Sequence, residues 1–369
     1  MKKVLAILLA VVMVLSLVAC GSAESTTTET TSTDSSTTAS TSSEEESTSA
    51  NEGGWKIAFS NSYVGNAWRT ASVNIFDAYT ARLVEEGVLS KAYSSSAGDD
   101  VQAQINEIRN MMSEGYDAIV CIAASSTGLT AVLEEAAERG IVIVCFDANV
   151  DSDLVYNVNT DQHEYGRLLA QSLVDRMGGK GNILWIKGIE GNQVTLDRTA
   201  GMESVLENYP EINVLGEGFG KWDVSTTASV MSNLMSAYGS QGIDGILSEG
   251  GGGHAIVESL KENGIDPASI PISEGEMFNS WMKDWVELGL DAFSTAQPPY
   301  LSAAAVDVAL KVLNGEEVDA WTYVDLPTCS SVEEAEEKWY QPDQEGGFVC
   351  DWTDNNNTWN LTISDVAPK

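Results

Sequence analysis

The chain has 369 residues, 55 acidic against 19 basic side chains, and a formal net charge of −36. An acidic excess of that size argues against nucleic acid and anionic membrane surfaces as partners, since both require clustered Lys and Arg. Five cysteines and two histidines (His163, His254), with no Cys/His cluster at ligand spacing, make neither a disulfide scaffold nor a zinc site, so no metal and no cofactor is expected.

Met1-Lys2-Lys3 is a positive start, and Val4 to Val18 is an apolar run broken only by Ser16. That is an export signal rather than a membrane span, which needs about 20 apolar residues. It ends in Leu17-Val18-Ala19-Cys20, which resembles the lipobox of bacterial lipoproteins. The resemblance implies that residues 1–20 are a lipoprotein signal, and that an acylated Cys20 anchors the chain to the extracytoplasmic face of the cell membrane. Two or more acyl chains hold stably where one does not. Ser22 to Glu52 holds 20 Ser/Thr and seven acidic residues in 31, with no Lys or Arg. Such a stretch cannot bury enough apolar surface to offset its ordering entropy, so residues 21–53 are expected to be a disordered, extended tether.

The body from Gly53 carries 48 acids against 17 bases, a net charge of −31, and is too long for one typical core. Its pattern alternates. A strand at 56–59 is followed by a helix at 67–86. Asp99 or Asp100 caps a second helix, with Val101, Ile105, Ile108 and Met112 on one stripe and Gly115 at its end. Next come strand 117–124, helix 127–139 and strand 141–147. After a crossing near 155–161 the rhythm returns: strands at 182–187, 212–215, 243–248, 270–273, 292–296 and 320–326, with helices at 195–208, 225–238, 254–263, 279–288 and 300–313 between them. Alternation of this kind means parallel sheets covered by helices on both faces. Gly115-Tyr-Asp-Ala-Ile-Val120 is echoed by Gly242-Ile-Asp-Gly-Ile-Leu247, as one unit repeated in two α/β lobes would be. Cys121 and Cys145 sit in apolar runs and read as small core residues. Cys329 and Cys350 lie in the polar C-terminal region and are candidates for a disulfide.

Ligands of parallel α/β sheets gather at the carboxyl ends of the strands. Those loops carry Asn66, Trp68 and Arg69 after the first strand and Asp147 and Asn149 after strand 141–147. They also carry Trp222 and Asp223 after strand 212–215, Glu249 after 243–248, Glu274, Glu276 and Asn279 after 270–273, and Gln297 and Tyr300 after 292–296. Flat aromatics suit the C–H faces of a sugar ring, and carboxylates, amides and Arg suit adjacent hydroxyls. No nucleophile–base pair stands at a recognisable spacing and there is no Gly-x-Ser-x-Gly elbow, so no enzyme is expected. Gly250–Gly253 follows a strand and precedes a helix, but no Lys-Ser/Thr follows, which argues against a phosphate loop.

The tether, Gly-Asn66-Ala-Trp68-Arg69, Cys-Phe-Asp147, Asp197-Arg198 and Ala-Gln297-Pro together resemble the ribose-binding-protein-like substrate-binding lipoproteins of bacterial sugar ABC importers, from Trp55 to about Leu326. The resemblance implies the type I periplasmic-binding-protein fold, two Rossmann-like lobes joined by three crossings. Residues 54–158 plus 298–326 would form the N-terminal lobe, and 159–297 plus 327–369 the C-terminal lobe and tail. Asn66, Trp68, Arg69 and Asp147 would line one side of the cleft, and Arg198, Trp222, Glu249, Glu276 and Asn279 the other, with Gln297 at the hinge. Trp68 and Trp222 are expected to sandwich a ring. A monomer is implied that delivers a mono- or short oligosaccharide to ABC permease subunits. Two departures bear on the solute: Ala148 stands where the family often has Arg, and Glu249-Gly-Gly stands where many members carry Asn-Asp. Two other classes stay open, a sensory receptor for a nucleoside or amino acid and an extracellular enzyme. The export signal and the lack of a basic N-terminal helical unit exclude a DNA-binding repressor of the same fold.

Overall fold

The computed structural model describes residues 53–351 and 358–367. The signal segment, Cys20 and all but the last residue of the expected tether lie outside the described residues. Among the described residues twelve strands alternate with nine principal helices. The first half holds β1 (Trp55–Asn61), α1 (Ala67–Glu85), β2 (Leu89–Ser96), α2 (Val101–Glu114), β3 (Ala118–Ile122), α3 (Thr130–Glu138), β4 (Val142–Phe146) and β5 (Tyr156–Asn159). The second begins with α4 (Gln162–Met177) and continues with β6 (Lys180–Lys187), α5 (Gln193–Leu206), β7 (Glu211–Phe219), α6 (Val224–Tyr238), β8 (Gly245–Ser248), α7 (Gly253–Glu262), β9 (Ile272–Gly275), α8 (Asn279–Leu288) and β10 (Ala292–Thr295). Then come α9 (Leu301–Leu313), β11 (Trp321–Tyr323) and β12 (Thr328–Cys329).

The strands form two six-stranded sheets, ordered β11-β5-β4-β3-β1-β2 and β12-β10-β9-β8-β6-β7. All pairings are parallel except β12, which runs antiparallel to β10. The echoed segments become β3 and β8, each beside the first strand of its own sheet. The chain passes between sheets after β5, after β10 and after β11, at residues 160–161, 296–300 and 324–327. This is an α/β architecture of two parallel-sheet lobes.

Local chemistry sets the helix starts. Asn66, Asp100, Asp161, Asn192 and Asp223 each accept a backbone N–H of the first helical turn, and Gly115, Gly178 and Gly289 close helices in left-handed conformation. Buried runs such as Ala118–Ile122 and Val142–Phe146 form the central strands, and Phe59 packs on Phe76 and Phe146 at ring separations of 5.2 and 5.3 Å. In the second lobe α4 and α5 touch backbone to backbone. A Cβ on Gly166 would sit 1.9 Å from the Arg198 carbonyl oxygen, and one on Gly201 would sit 2.0 Å from that of His163. Only glycine permits this approach, which seats Arg198 against the lobe core.

Three strands escape the sequence pattern, among them the two-residue β12. β2 is polar and half exposed (Leu-Ser-Lys-Ala-Tyr-Ser-Ser-Ser) because it is the sheet edge, and β5 has four residues. The cysteines at 329 and 350 are free and buried, so the anticipated pairing is absent. Cys350 Sγ instead donates to Asn279 Oδ1 at 3.4 Å, and Cys329 Sγ to the Ser331 carbonyl at 3.6 Å. Residues 358–367 lie against the first lobe, where the sequence reading put all of 327–369 in the second. Asn74 donates to the Val366 carbonyl at 2.7 Å, Trp359 Nε1 to Asp307 at 2.7 Å, and the Trp359 ring packs on Tyr79 and Tyr300.

Candidate functional site

A cleft of about 350 Å³ opens where the carboxyl ends of the two sheets face each other. Eight of the ten expected residues line it: Asn66, Trp68, Arg69 and Asp147 from the first lobe, Arg198, Trp222 and Glu276 from the second, and Gln297 from the crossing after β10. They are already tied to one another. Asn66 spends its side-chain oxygen on the α1 cap, accepting from the Arg69 amide at 2.8 Å. Trp68, 9 % exposed, donates its indole N–H to the Gln297 carbonyl at 2.6 Å. Arg69 pairs with Asp147 at 2.8 Å, donates to Asn61 and Ser62, and lies over the Tyr63 ring at 4.9 Å.

Arg198 is the most heavily engaged group in the site. Its guanidinium donates to Gln162 Oε1 (2.8 Å), the Glu249 carbonyl (2.9 Å), Glu276 Oε1 (3.1 Å) and Gln297 Oε1 (3.2 Å). It also lies 3.6 Å from the Tyr165 ring centroid. Burial raises the Glu276 carboxyl above the ordinary range, and Arg198 opposes that rise most strongly. Gln297 joins the halves: its Nε2 donates to Asp147 Oδ1 at 2.5 Å, while its Oε1 accepts from Arg198 and Gln162.

Trp222 packs its six-membered ring on Gly188, where a Cβ would come within 2.5 Å of it, and its indole N–H has no partner among the described residues. Asp147 (φ 61°), Trp222 (φ 55°) and Glu276 (φ 66°) all hold left-handed backbone. Non-glycine residues in that region are strained, and such strain clusters at binding sites because the surrounding fold must impose it.

Two expected residues stay outside the cleft. Glu249 turns inward, accepting from the Gly188 amide and the Thr199 hydroxyl at 2.9 Å each, and burial pushes its carboxyl up to about 7. Asn279 turns toward the tail, donating to the carbonyls of Gln341 (2.8 Å) and Gln344 (2.9 Å) and accepting from the Gln341 amide (2.9 Å). Glu249 in the loop after β8 and Asn279 at the start of α8 are both at the right end of the sheet, but their side chains complete the lobe's own hydrogen bonding. Tyr63, Phe278, Ile189, Asn192 and Val194, which the sequence pattern does not single out as binding residues, also line the cleft. Tyr63 and Phe278 were discoverable as aromatics between quoted residues. Ile189, Asn192 and Val194 follow β6, a strand end whose loop carries no aromatic or charged pair to mark it as a ligand site.

The profile of the family described as periplasmic binding protein domain matches residues 57–317. Among curated proteins, the chain is similar to a xylitol-binding protein of Mycolicibacterium smegmatis (31 % identical, covering 46 % of this chain and 49 % of that protein). It is also similar to a multiple sugar-binding periplasmic protein of Azospirillum brasilense (29 %; 52 % and 62 %) and to the D-xylose-binding periplasmic protein of Escherichia coli (26 %; 64 % and 73 %). The matched stretch is thus about half to three-fifths of the first two relatives' length. Among solved structures, the fold is similar to an ABC transporter solute binding protein from Thermobispora bispora (TM-score 0.71, 20 % identical, 81 % of this chain and 91 % of that one). A solute binding protein from Bacillus halodurans with bound myo-inositol gives a TM-score of 0.67 at 20 % identity, covering 78 % of this chain and 98 % of that one.

Proposed function

Because the chain belongs to the family of periplasmic binding protein domains, we propose that it captures a small neutral sugar or polyol between its lobes outside the cytoplasm and delivers it to an ABC-type import permease. One observation carries this reading: both guanidinium groups of the cleft are paired with carboxylates, Arg69 with Asp147 and Arg198 with Glu276, beside the faces of Trp68 and Trp222. A compensated polar wall with aromatic faces suits a solute that offers hydroxyls and C–H faces and no net charge. An amino-acid carboxylate would need a guanidinium not already matched by an acid. The xylitol, xylose and myo-inositol in the names of the relatives point the same way. Hinge closure would then be driven by the solute's higher affinity for the closed state.

The test is a thermal-shift screen of the tetherless body over sugars, polyols, nucleosides and amino acids. A ligand at 100 times its dissociation constant adds about 2.7 kcal/mol of stability, a shift easily seen. A hit confined to amino acids or nucleosides overturns the sugar assignment. With the best sugar or polyol, Trp222→Ala is expected to weaken binding by about 30-fold, since truncating a central aromatic costs about 2 kcal/mol. The apo melting temperature should move little, because the half-buried ring rests on a glycine at the cleft wall. A variant that melts much earlier yet binds normally would make Trp222 a core residue.

The same reading puts the chain on the outer face of the membrane through Cys20, resting on the lipobox resemblance alone. Cys20→Ala is expected to move the protein from the membrane fraction to the soluble fraction with unchanged solute affinity. Equal membrane retention of the variant would rule the anchor out.

A further inference from the structure

A second chamber of about 620 Å³ runs on from the cleft and shares six wall residues with it, including Asp147, Ala148 and Asn192. It is bounded by the loops after β3 and β4, the first crossing, the start of α5 and the edge strand β11. Among the described residues no Lys or Arg lines it, whereas Asp151, Asp161 and Asp197 do. At its rim stand Trp321 and Tyr323, 42 % and 62 % exposed, with ring planes 18° apart and centroids 6.0 Å apart. Strand alternation puts both on one face of β11, where the two rings stack on one another as an exposed aromatic pair beside acidic and amide groups. Two large aromatics left in solvent on a sheet edge do nothing for the lobe's core, which closes without them.

Resting on the sugar-binding reading above, we propose that this chamber is a subsite for a second ring, and that the cognate ligand is a neutral disaccharide or longer glycoside. Its inner ring occupies the cleft and its outer ring lies over Trp321 and Tyr323, with hydroxyls facing the carboxylates. The wall chemistry fits this class. Aromatic faces take the C–H side of a ring, and carboxylates accept from hydroxyls. With Asp147, Asp151, Asp161 and Asp197 set against the His163 imidazole, and no Lys or Arg among the described lining residues, the chamber disfavours phosphorylated and acidic sugars. Continuity with the cleft through Asp147 and Ala148 supplies the path for the glycosidic link. Ala148 helps keep that path open, since its side chain ends at one methyl group.

Calorimetric titration of the whole mature chain tests this with D-xylose against xylobiose, D-glucose against cellobiose and maltose, and D-galactose against lactose. At least one disaccharide is expected to bind tenfold or more tightly than its own monosaccharide. In Trp321→Ala/Tyr323→Ala that preference should fall below threefold, while monosaccharide affinity stays within twofold and the melting temperature is unchanged. The single Tyr323→Ala, at the more exposed ring, should show part of the same loss. The proposal is overturned if monosaccharides bind as tightly as every disaccharide in the panel. It is equally overturned if the double variant keeps the preference, in which case the aromatic pair serves a protein surface. A panel in which no sugar binds at all overturns the parent reading together with this one.

Discussion

Arg198→Ala is expected to destabilise the protein by about 3–5 kcal/mol, the usual cost of removing one partner of a buried ion pair. Arg198 is 2 % exposed and Glu276 8 % exposed, and among the described residues no other basic side chain is hydrogen-bonded to Glu276. The variant would strand that carboxylate, free Gln162 Oε1, and leave the Glu249 carbonyl with the Tyr165 hydroxyl at 3.3 Å in place of two donors. The deficit should depend on pH. Burial already raises Glu276 above its unfolded value with Arg198 opposing, so losing Arg198 raises it further. A carboxyl whose folded pKa is raised stabilises the fold below its unfolded pKa, and that contribution is lost as pH rises through the folded value. The gap between variant and wild type should therefore be widest above neutrality and narrow on acidification. Urea midpoints at pH 5 and pH 8 measure it, and a deficit below about 1 kcal/mol at pH 8 would show that the pair contributes little. Arg198→Lys should recover only part of the loss, because an ammonium cannot reproduce a fork that reaches four acceptors.

Glu274→Gln is expected to make the protein more stable than wild type at alkaline pH and to flatten its pH profile. Burial pushes the Glu274 carboxyl up to about 7, against the pull of Ser248 and of the Gly252 and Gly253 amides that donate to its Oε1 at 2.8 Å each. Its unfolded value is 4.5. The folded state therefore binds the proton more tightly, and stability present below pH 4.5 is lost as pH rises toward 7. A shift of this size corresponds to about 3 kcal/mol. Glutamine keeps an oxygen for the two glycine amides and removes the ionisation. The stability difference between variant and wild type should grow in the variant's favour from pH 4.5 to 8, by a few kcal/mol in urea titrations. Parallel profiles would show that Glu274 does not titrate in this range. Glu249, raised to about 7 by the same cause, retains its own dependence in both proteins.

The lobes were legible because their central strands are unbroken apolar runs and five of the nine principal helices begin at Asn or Asp caps, so pattern and packing agree. β2 was not, since an edge strand with one half-exposed face carries neither an apolar run nor a clean alternation. The cleft was read by strand ends, which brought Trp68, Arg69, Asp147, Trp222 and Gln297 together because backbone topology alone carries them there. Topology does not say which way a side chain turns. Asn279 bonds a segment 62 residues later, and Glu249 bonds a helix about 50 residues earlier, so their orientation is decided by partners remote in sequence. The tail's return to α1 and α9 rests on Trp359 reaching Asp307, Tyr79 and Tyr300 and on Asn74 reaching Val366, contacts that no periodicity announces.

The pairing of each cleft guanidinium with an acid sets how a solute arrives. The body carries a net charge of −31, and a field of that sign turns anions away before they reach the mouth of the cleft. A neutral solute feels neither that repulsion nor any pull from Arg69 or Arg198, whose charges are cancelled within 2.8 and 3.1 Å. For the neutral solute proposed above, capture would be unsteered diffusion, with an association rate expected to change little with ionic strength. A protein built this way would collect its solute at the same pace in fresh water and in brine.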